Sequence, residues 1–243
     1  MSRTRLEIKA LVHSHTNRTK ETLENSLCDS ALKIAQSRHP FQDSQSNPED
    51  FTIDEDATYV DVSSASILHI VTARIVEADG SRNAPLKMKN KTWWDKKVVN
   101  AEDNMKSWPV YGLKDGDCVR FNCPVSSGLE LRLRITTVQT FTDDSTECPI
   151  KTLDIFVEKY VTAEVFLDVG NHEKYLFWRA QALGPNYDRG EVGGELLNAI
   201  NADKFANAEE YEFDRDDVLS DAGIAMRNLI SGHERYGEID YWL

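Results

Sequence analysis

With 243 residues, 40% of them hydrophobic and 28% charged, the chain has the make-up of an ordinary globular protein, which excludes a disordered or collagen-like one. A net charge of −13 excludes general binding to nucleic acid or anionic lipid, both of which select basic surfaces. No run of about 18 apolar residues is present to span a bilayer as a helix, and the polar start Met1-Ser2-Arg3-Thr4-Arg5 leads into no secretory signal, so a cytoplasmic setting is expected.

Leu6, Ile8, Ala10 and Val12 alternate with Glu7, Lys9 and Leu11, a period of two that predicts a first strand. Leu23, Leu27, Ala31, Ile34 and Ala35 then recur at helical steps, with Thr19 placed to cap the helix and Pro40 to end it. Residues 37–50 are polar, contain Pro40 and Pro48 and show no period, which predicts a mobile loop. A short strand over residues 59–62 and a longer one over residues 67–76 follow. The longer one is apolar at both parities, as in a strand covered on two sides.

Asp79-Gly80 supplies a hairpin turn. The returning strand then points Leu86 and Met88 inward and Lys87, Lys89 and Lys91 outward, ahead of Trp93, Trp94, Lys96 and Lys97. Another edge starts at Val110 and Tyr111 and turns at residues 113–117 into a strand from Cys118 to Cys123, which Pro124 closes.

Three apolar segments form the centre of the predicted fold. Leu129, Leu131, Leu133 and Ile135 alternate with Glu130, Arg132, Arg134 and Thr136, a strand with one wet face. Residues 153–169 and 174–183, rich in β-branched and aromatic side chains, predict two further strands. Beyond Pro185 the period changes. Leu196, Leu197 and Ile200 predict a short helix, and Val218, Leu219, Ala222, Met226, Leu229 and Ile230 a longer one capped by Asp214 and closed by Gly232.

These elements predict a mainly β, sandwich-like fold of α+β layout, with an N-terminal helix and C-terminal helices. One domain spanning residues 1–243 is expected: strand, helix and loop to residue 50, a β core over residues 51–183, and an acidic helical part over residues 184–243. The four cysteines are scattered and predict free thiols. Cys118 and Cys123, five apart on one strand, face opposite ways and do not make a zinc pair.

No reactive constellation stands out in the sequence. His13 and His15, two apart, offer half a metal site with His69 a distant third, but no third ligand has usable spacing. Gly190-Glu191-Val192-Gly193-Gly194 precedes a helix yet lacks the Lys-Ser/Thr of a phosphate loop. The acidic stretch of residues 209–221 has no glycine where a calcium loop turns. No cofactor and no metal are expected.

The informative feature is charge asymmetry. Residues 82–97 carry six basic side chains against Asp95 alone, whereas residues 184–243 carry 5 Lys/Arg against 14 Asp/Glu. Lys87, Lys89, Lys91, Trp93, Trp94, Lys96 and Lys97 form a basic-aromatic candidate binding surface. Its bland alternative is a solvated face whose two tryptophans split between core and rim. Trp242, near the C-terminus, is a candidate docking residue.

The functional expectation is a non-catalytic protein acting through contacts with a protein partner or with copies of itself, its basic strand meeting the acidic tail head to tail. A membrane-active pore former built from amphipathic strands, and a hydrolase with a site assembled from distant acids and histidines, are the alternatives.

Overall fold

The computed structural model describes residues 2–18, 21–98 and 100–206. Helix comes first. The Thr4 side chain accepts from the Glu7 N–H at 3.2 Å while the Glu7 carboxylate accepts from the Thr4 N–H at 2.8 Å, a reciprocal cap that starts α1 (Arg5–Thr16). The strand predicted there is therefore a helix. Ile8 and Val12, four apart, go to the core, while Leu6 stays 59% exposed. Helix α2 (Glu21–Arg38) forms where helical spacing places it, and the Thr19 cap lies outside the described residues.

Residues 37–50 are not a mobile loop. Phe41 is fully buried, a 3-10 turn follows at Gln42–Ser44, and β1 (Glu49–Thr52) joins a sheet. A single buried aromatic ring anchors a stretch whose remaining polarity suggested none.

Seven more strands follow in two sheets: β2 (Tyr59–Asp61), β3 (His69–Glu77), β4 (Asn83–Pro85), β5 (Lys87–Met88), β6 (Tyr111–Asp115), β7 (Cys118–Phe121) and β8 (Leu129–Thr136). The first sheet runs β1-β8-β3-β4 with antiparallel pairing throughout, and the second β2-β7-β6-β5, with β5 parallel to β6. In β8 the predicted alternation holds up to Ile135: Leu129, Leu131, Leu133 and Ile135 are buried and Glu130, Arg132 and Arg134 are half-exposed opposite them, while Thr136 at the end of the strand is buried. On that face Arg132 donates to Asp50 of β1 at 2.6 and 2.7 Å, a bidentate cross-strand tie.

Strand β3 is not covered on both sides along its length. A register shift between Ile70 and Thr72 re-aims the chain, so Ala73 and Ile75 point inward while Thr72 and Arg74 are exposed. The hairpin after it turns at Gly80, φ +74°, whose N–H bonds the Glu77 carbonyl at 2.7 Å. At Leu86 the chain leaves the first sheet and enters the second.

The larger correction lies beyond β8. Residues 153–169 and 174–183, predicted as strands, are the helices α4 (Asp154–Asp168) and α5 (His172–Leu183). Phe156, Val157, Val161 and Val165 recur at one, four and four residues, all buried, and burial outweighs the weak helix propensity of valine. Asn171 caps α5 through the Lys174 N–H at 3.2 Å. With α3 (Lys91–Lys97) and α6 (Gly194–Ala206), six α-helices and two four-stranded sheets stand among the described residues. Helix makes up 45% and strand 22%, so the fold is α+β and not mainly β.

Two hydrophobic cores result. One joins α1, α2, α4 and α6 with Phe41, Phe141, Cys148 and Ile150; the other lies between the sheets around Ile75, Val119, Phe121 and the inward face of β8. Both belong to one compact unit ending at Asp203. No helix among the described residues is long and apolar enough to cross a membrane.

Candidate functional site

The basic-aromatic segment is assembled by the second sheet. Lys87 pairs with Tyr111 and Met88 with Gly112 in parallel register. A side chain at position 112 would sit 2.8 Å from Leu86 Cδ2 and 2.9 Å from Met88 Sδ, so only glycine lets β5 lie so close. Strand β5 ends at Met88, and Asn90 accepts from the Trp93 N–H at 2.8 Å to start α3. The three lysines thus do not alternate along one strand: Lys87 is in β5, Lys89 follows it, and Lys91 opens the helix.

Helix α3 separates its two tryptophans. Trp94 is 7% exposed, while Trp93 is half-buried and lies on Tyr111 with ring centroids 4.8 Å apart. The ammonium of Lys89 stands 5.7 Å from the Trp93 centroid and 5.8 Å from that of Tyr111, and Arg82 sits 4.8 Å over Trp108. Each of these rings already carries one of the chain's own cations, an arrangement that competes with stacking of a ligand's base or sugar. Lys91, Lys96 and Lys97 are exposed on α3. Trp242 and the acidic stretch of residues 209–221 lie outside the described residues.

Beside α3 opens a groove of about 750 Å³ that sequence reasoning did not foresee. Its floor is the outer face of the second sheet, with Tyr59, Cys118, Arg120 and Asp115. Its wall is Trp94 of α3, Val98 just past the end of that helix, and the chain from Asn100 to Asp103. Arg120 is paired with Asp115 at 3.0 Å, and the Asn100 amide donates to Asp103 at 2.7 Å. The groove joins residues far apart in sequence, and the pairing of β2 with β7 and of β7 with β6 brings them together.

A second surface lies on α5. Of its twelve residues only Ala182 and Leu183 are buried, while Leu176 is 60% and Phe177 58% exposed. Phe177 meets Trp178 edge-on at 5.7 Å, and Trp178 lies 4.7 Å from the His15 ring. Read as a strand, this segment concealed that surface; in the helix Leu176 and Phe177 are consecutive residues, about 100° apart around the axis, and both stand in solvent.

No protein-family model matches the chain, and no curated protein matches it.

Four of the six histidines are spent on helix contacts. His13 reaches the fully buried Glu24 at 2.7 Å, His15 reaches Glu158 at 3.1 Å, His39 reaches Asp203 at 2.9 Å, and His69 donates to the Gln36 carbonyl at 2.6 Å. His13 and His15 lie on a helix, so two residues apart means different faces, and their carboxylate partners come from different helices. No cluster of metal-ligating side chains occurs among the described residues. The four cysteines are free, as expected. Gly193 and Gly194 pack on backbone: the Gly193 N–H bonds the Leu183 carbonyl at 2.8 Å.

Proposed function

We propose that this chain is a non-catalytic subunit that works by protein contact, foremost with copies of itself. The observation that carries the reading is the apolar face of α5. Leu176 and Phe177 expose more than half of their surface side by side on a regular helix, where a solvated helix places charged or polar residues. The charge asymmetry supports it, since a chain with a basic middle and an acidic end offers complementary poles to its own copies.

The test is sedimentation equilibrium of the full chain over a range of concentration, with Leu176→Glu and Phe177→Glu beside it. Burying one such side chain is worth about 1.5–3 kcal/mol, so each variant should weaken association by about 10- to 100-fold while far-UV circular dichroism stays unchanged. A particle that remains monomeric at every concentration and ionic strength overturns the reading.

A further inference from the structure

We infer that residues 91–98 and 100–103 form a self-complementary contact through which two copies meet about a two-fold axis, the lysines of one α3 entering the groove of the other. This rests on the self-association proposed above and adds to it a second, electrostatic interface distinct from α5.

Three observations converge on the segment. First, its charges are unevenly shared: Lys91, Lys96 and Lys97 stand exposed on α3 against Asp95 alone, and Glu102 and Asp103, also exposed, follow on the next 3-10 turn (Ala101–Asp103). Second, they are uncommitted. Some cations elsewhere pair within the chain, Arg132 with Asp50 at 2.6 Å, Lys159 with Glu195 at 2.6 Å and Lys106 with Asp56 at 2.9 Å. Among the described residues, Lys91, Lys96, Lys97 and Glu102 have no ion-pair partner, and Asp103 accepts only from its neighbour Asn100. Third, the acidic arm lines a cavity. With Arg120 matched to Asp115, the groove of about 750 Å³ is left with the carboxylates of Glu102 and Asp103 beside the Tyr59 ring, a setting for an ammonium group.

The adjacency of the two arms dictates the symmetry. When a basic and an acidic arm lie next to each other on one chain, a two-fold axis sets each arm against its complement, so every attraction occurs twice. Exposed pairs are each worth only about 0.2–1 kcal/mol. Doubling them, and placing the lysines in a groove where water is partly excluded, is what makes the contact count.

The experiment uses the full chain carrying Phe177→Glu, which removes the α5 contact, and measures sedimentation velocity at low and high salt. Association is expected to persist in this background at low salt and to fall as salt shortens the screening length. Lys96→Glu with Lys97→Glu, and separately Glu102→Lys with Asp103→Lys, should each weaken it by about a hundredfold, since like charges then face each other. An equimolar mixture of the two variants should form a heterodimer. The fourfold swap, with polarity reversed but complementarity kept, should self-associate again, which also shows that the fold is intact. If the Phe177→Glu protein is monomeric while the unaltered chain associates, or if the charge variants associate as before, this interface is wrong and the α5 reading stands. If the unaltered chain never associates, the broader reading has failed.

Discussion

At Gly184 the backbone takes φ +89° and an added Cβ would stand 2.7 Å from the Gly193 Cα; at Gly194, φ +57°, it would stand 2.2 Å from the Gln181 carbonyl oxygen. These contacts let the end of α5 and the start of α6 touch backbone to backbone. Alanine at either site combines a left-handed backbone penalty with overpacking, so each should lower unfolding free energy by about 2–4 kcal/mol. Gly116 serves as the control. It has φ +62° but open space around it, and its alanine variant should cost only about 1–2 kcal/mol, the backbone penalty alone. Urea titration of the three variants separates the two effects, and equal losses at Gly116 and Gly184 would remove close packing from the explanation.

Burial acts on the thiols at the same scale. It pushes Cys28 and Cys148, both in the helical core, up to about 12, whereas Cys118 is half-buried in the groove floor. Since the thiolate is the reactive form, a thiol reagent at mildly alkaline pH should modify Cys118 in the folded protein and reach Cys28 and Cys148 only on unfolding. Peptide mapping of the modified protein reads this directly, and early labelling of Cys28 would contradict the burial assigned to it.

Among the elements, what could be read from the sequence depended on which pattern each side chain obeyed. Strand β8 was fully readable because leucine and arginine alternate along it and its two faces meet core and water. Helix α4 reads as a strand because valine, isoleucine and phenylalanine carry strand propensity and a helix enclosed by neighbours shows no single apolar stripe. Helix α5 does so because Tyr175, Phe177 and Trp178 carry strand propensity while Leu176 and Phe177 stand in solvent. For α1 the correcting signal was present: Thr4 and Glu7 have the spacing of a reciprocal cap, which outranks the alternation of Leu6, Ile8, Ala10 and Val12. The candidate lysines and tryptophans were visible as a cluster. The groove beside them was not, since Tyr59 and Arg120 meet only through strand pairing.

The energetics of these elements can be tested where they were hardest to read. In α4, Phe156 is fully buried and Ile155 is 41% exposed, so Phe156→Ala should cost about 3–5 kcal/mol and Ile155→Ala under about 1. Helix α1 is fastened differently, by Arg5 at 2.7 Å and Lys9 at 2.8 Å from the carboxylate of Asp144. The hydrogen bond from Lys9, with a further one from Arg5, holds that carboxyl below its usual range. A depressed folded-state value means the contribution is complete above the ordinary carboxylate pKa of about 3.9 and is lost as pH falls through the folded value. Asp144→Asn should therefore lower the denaturation midpoint at neutral pH and flatten the acid side of the stability profile. A variant whose acid limb keeps the original slope would show that Asp144 does not report the fastening of α1.

The unit that ends at Asp203 holds two cores on one stretch of chain that starts in the helical part, crosses to the sheets and returns, and their cooperativity rests on the seam where it crosses. That seam is centred on Gln36, fully buried in α2. Its amide donates to the Leu32 and Gln139 carbonyls at 3.0 and 2.8 Å, its oxygen accepts from the Gln139 N–H at 2.7 Å, and its own carbonyl receives His69 of β3. Alongside, the Ser46 N–H bonds the Ile135 carbonyl at 2.8 Å and Gln45 bridges Thr136, both at the end of β8. Gln36→Ala leaves the Gln139 backbone without these partners and should cost about 2–4 kcal/mol. Its more telling effect is on cooperativity. Trp93, Trp94 and Trp108 lie in the sheet half, whereas Trp178 lies on α5 in the other half with α1, α2, α4 and α6. With Trp178 and Trp242 both replaced by Phe, fluorescence weights the sheet core and far-UV circular dichroism the helical one. The otherwise unaltered protein should give coincident urea transitions by the two probes, and the variant transitions that separate, with the sheet half unfolding at its own midpoint. Transitions that remain superimposed after the loss of Gln36 would place the coupling in the backbone pairing of Gln45 and Ser46 with the end of β8, and Ser46→Pro, which removes that donor, would then be the substitution that divides them.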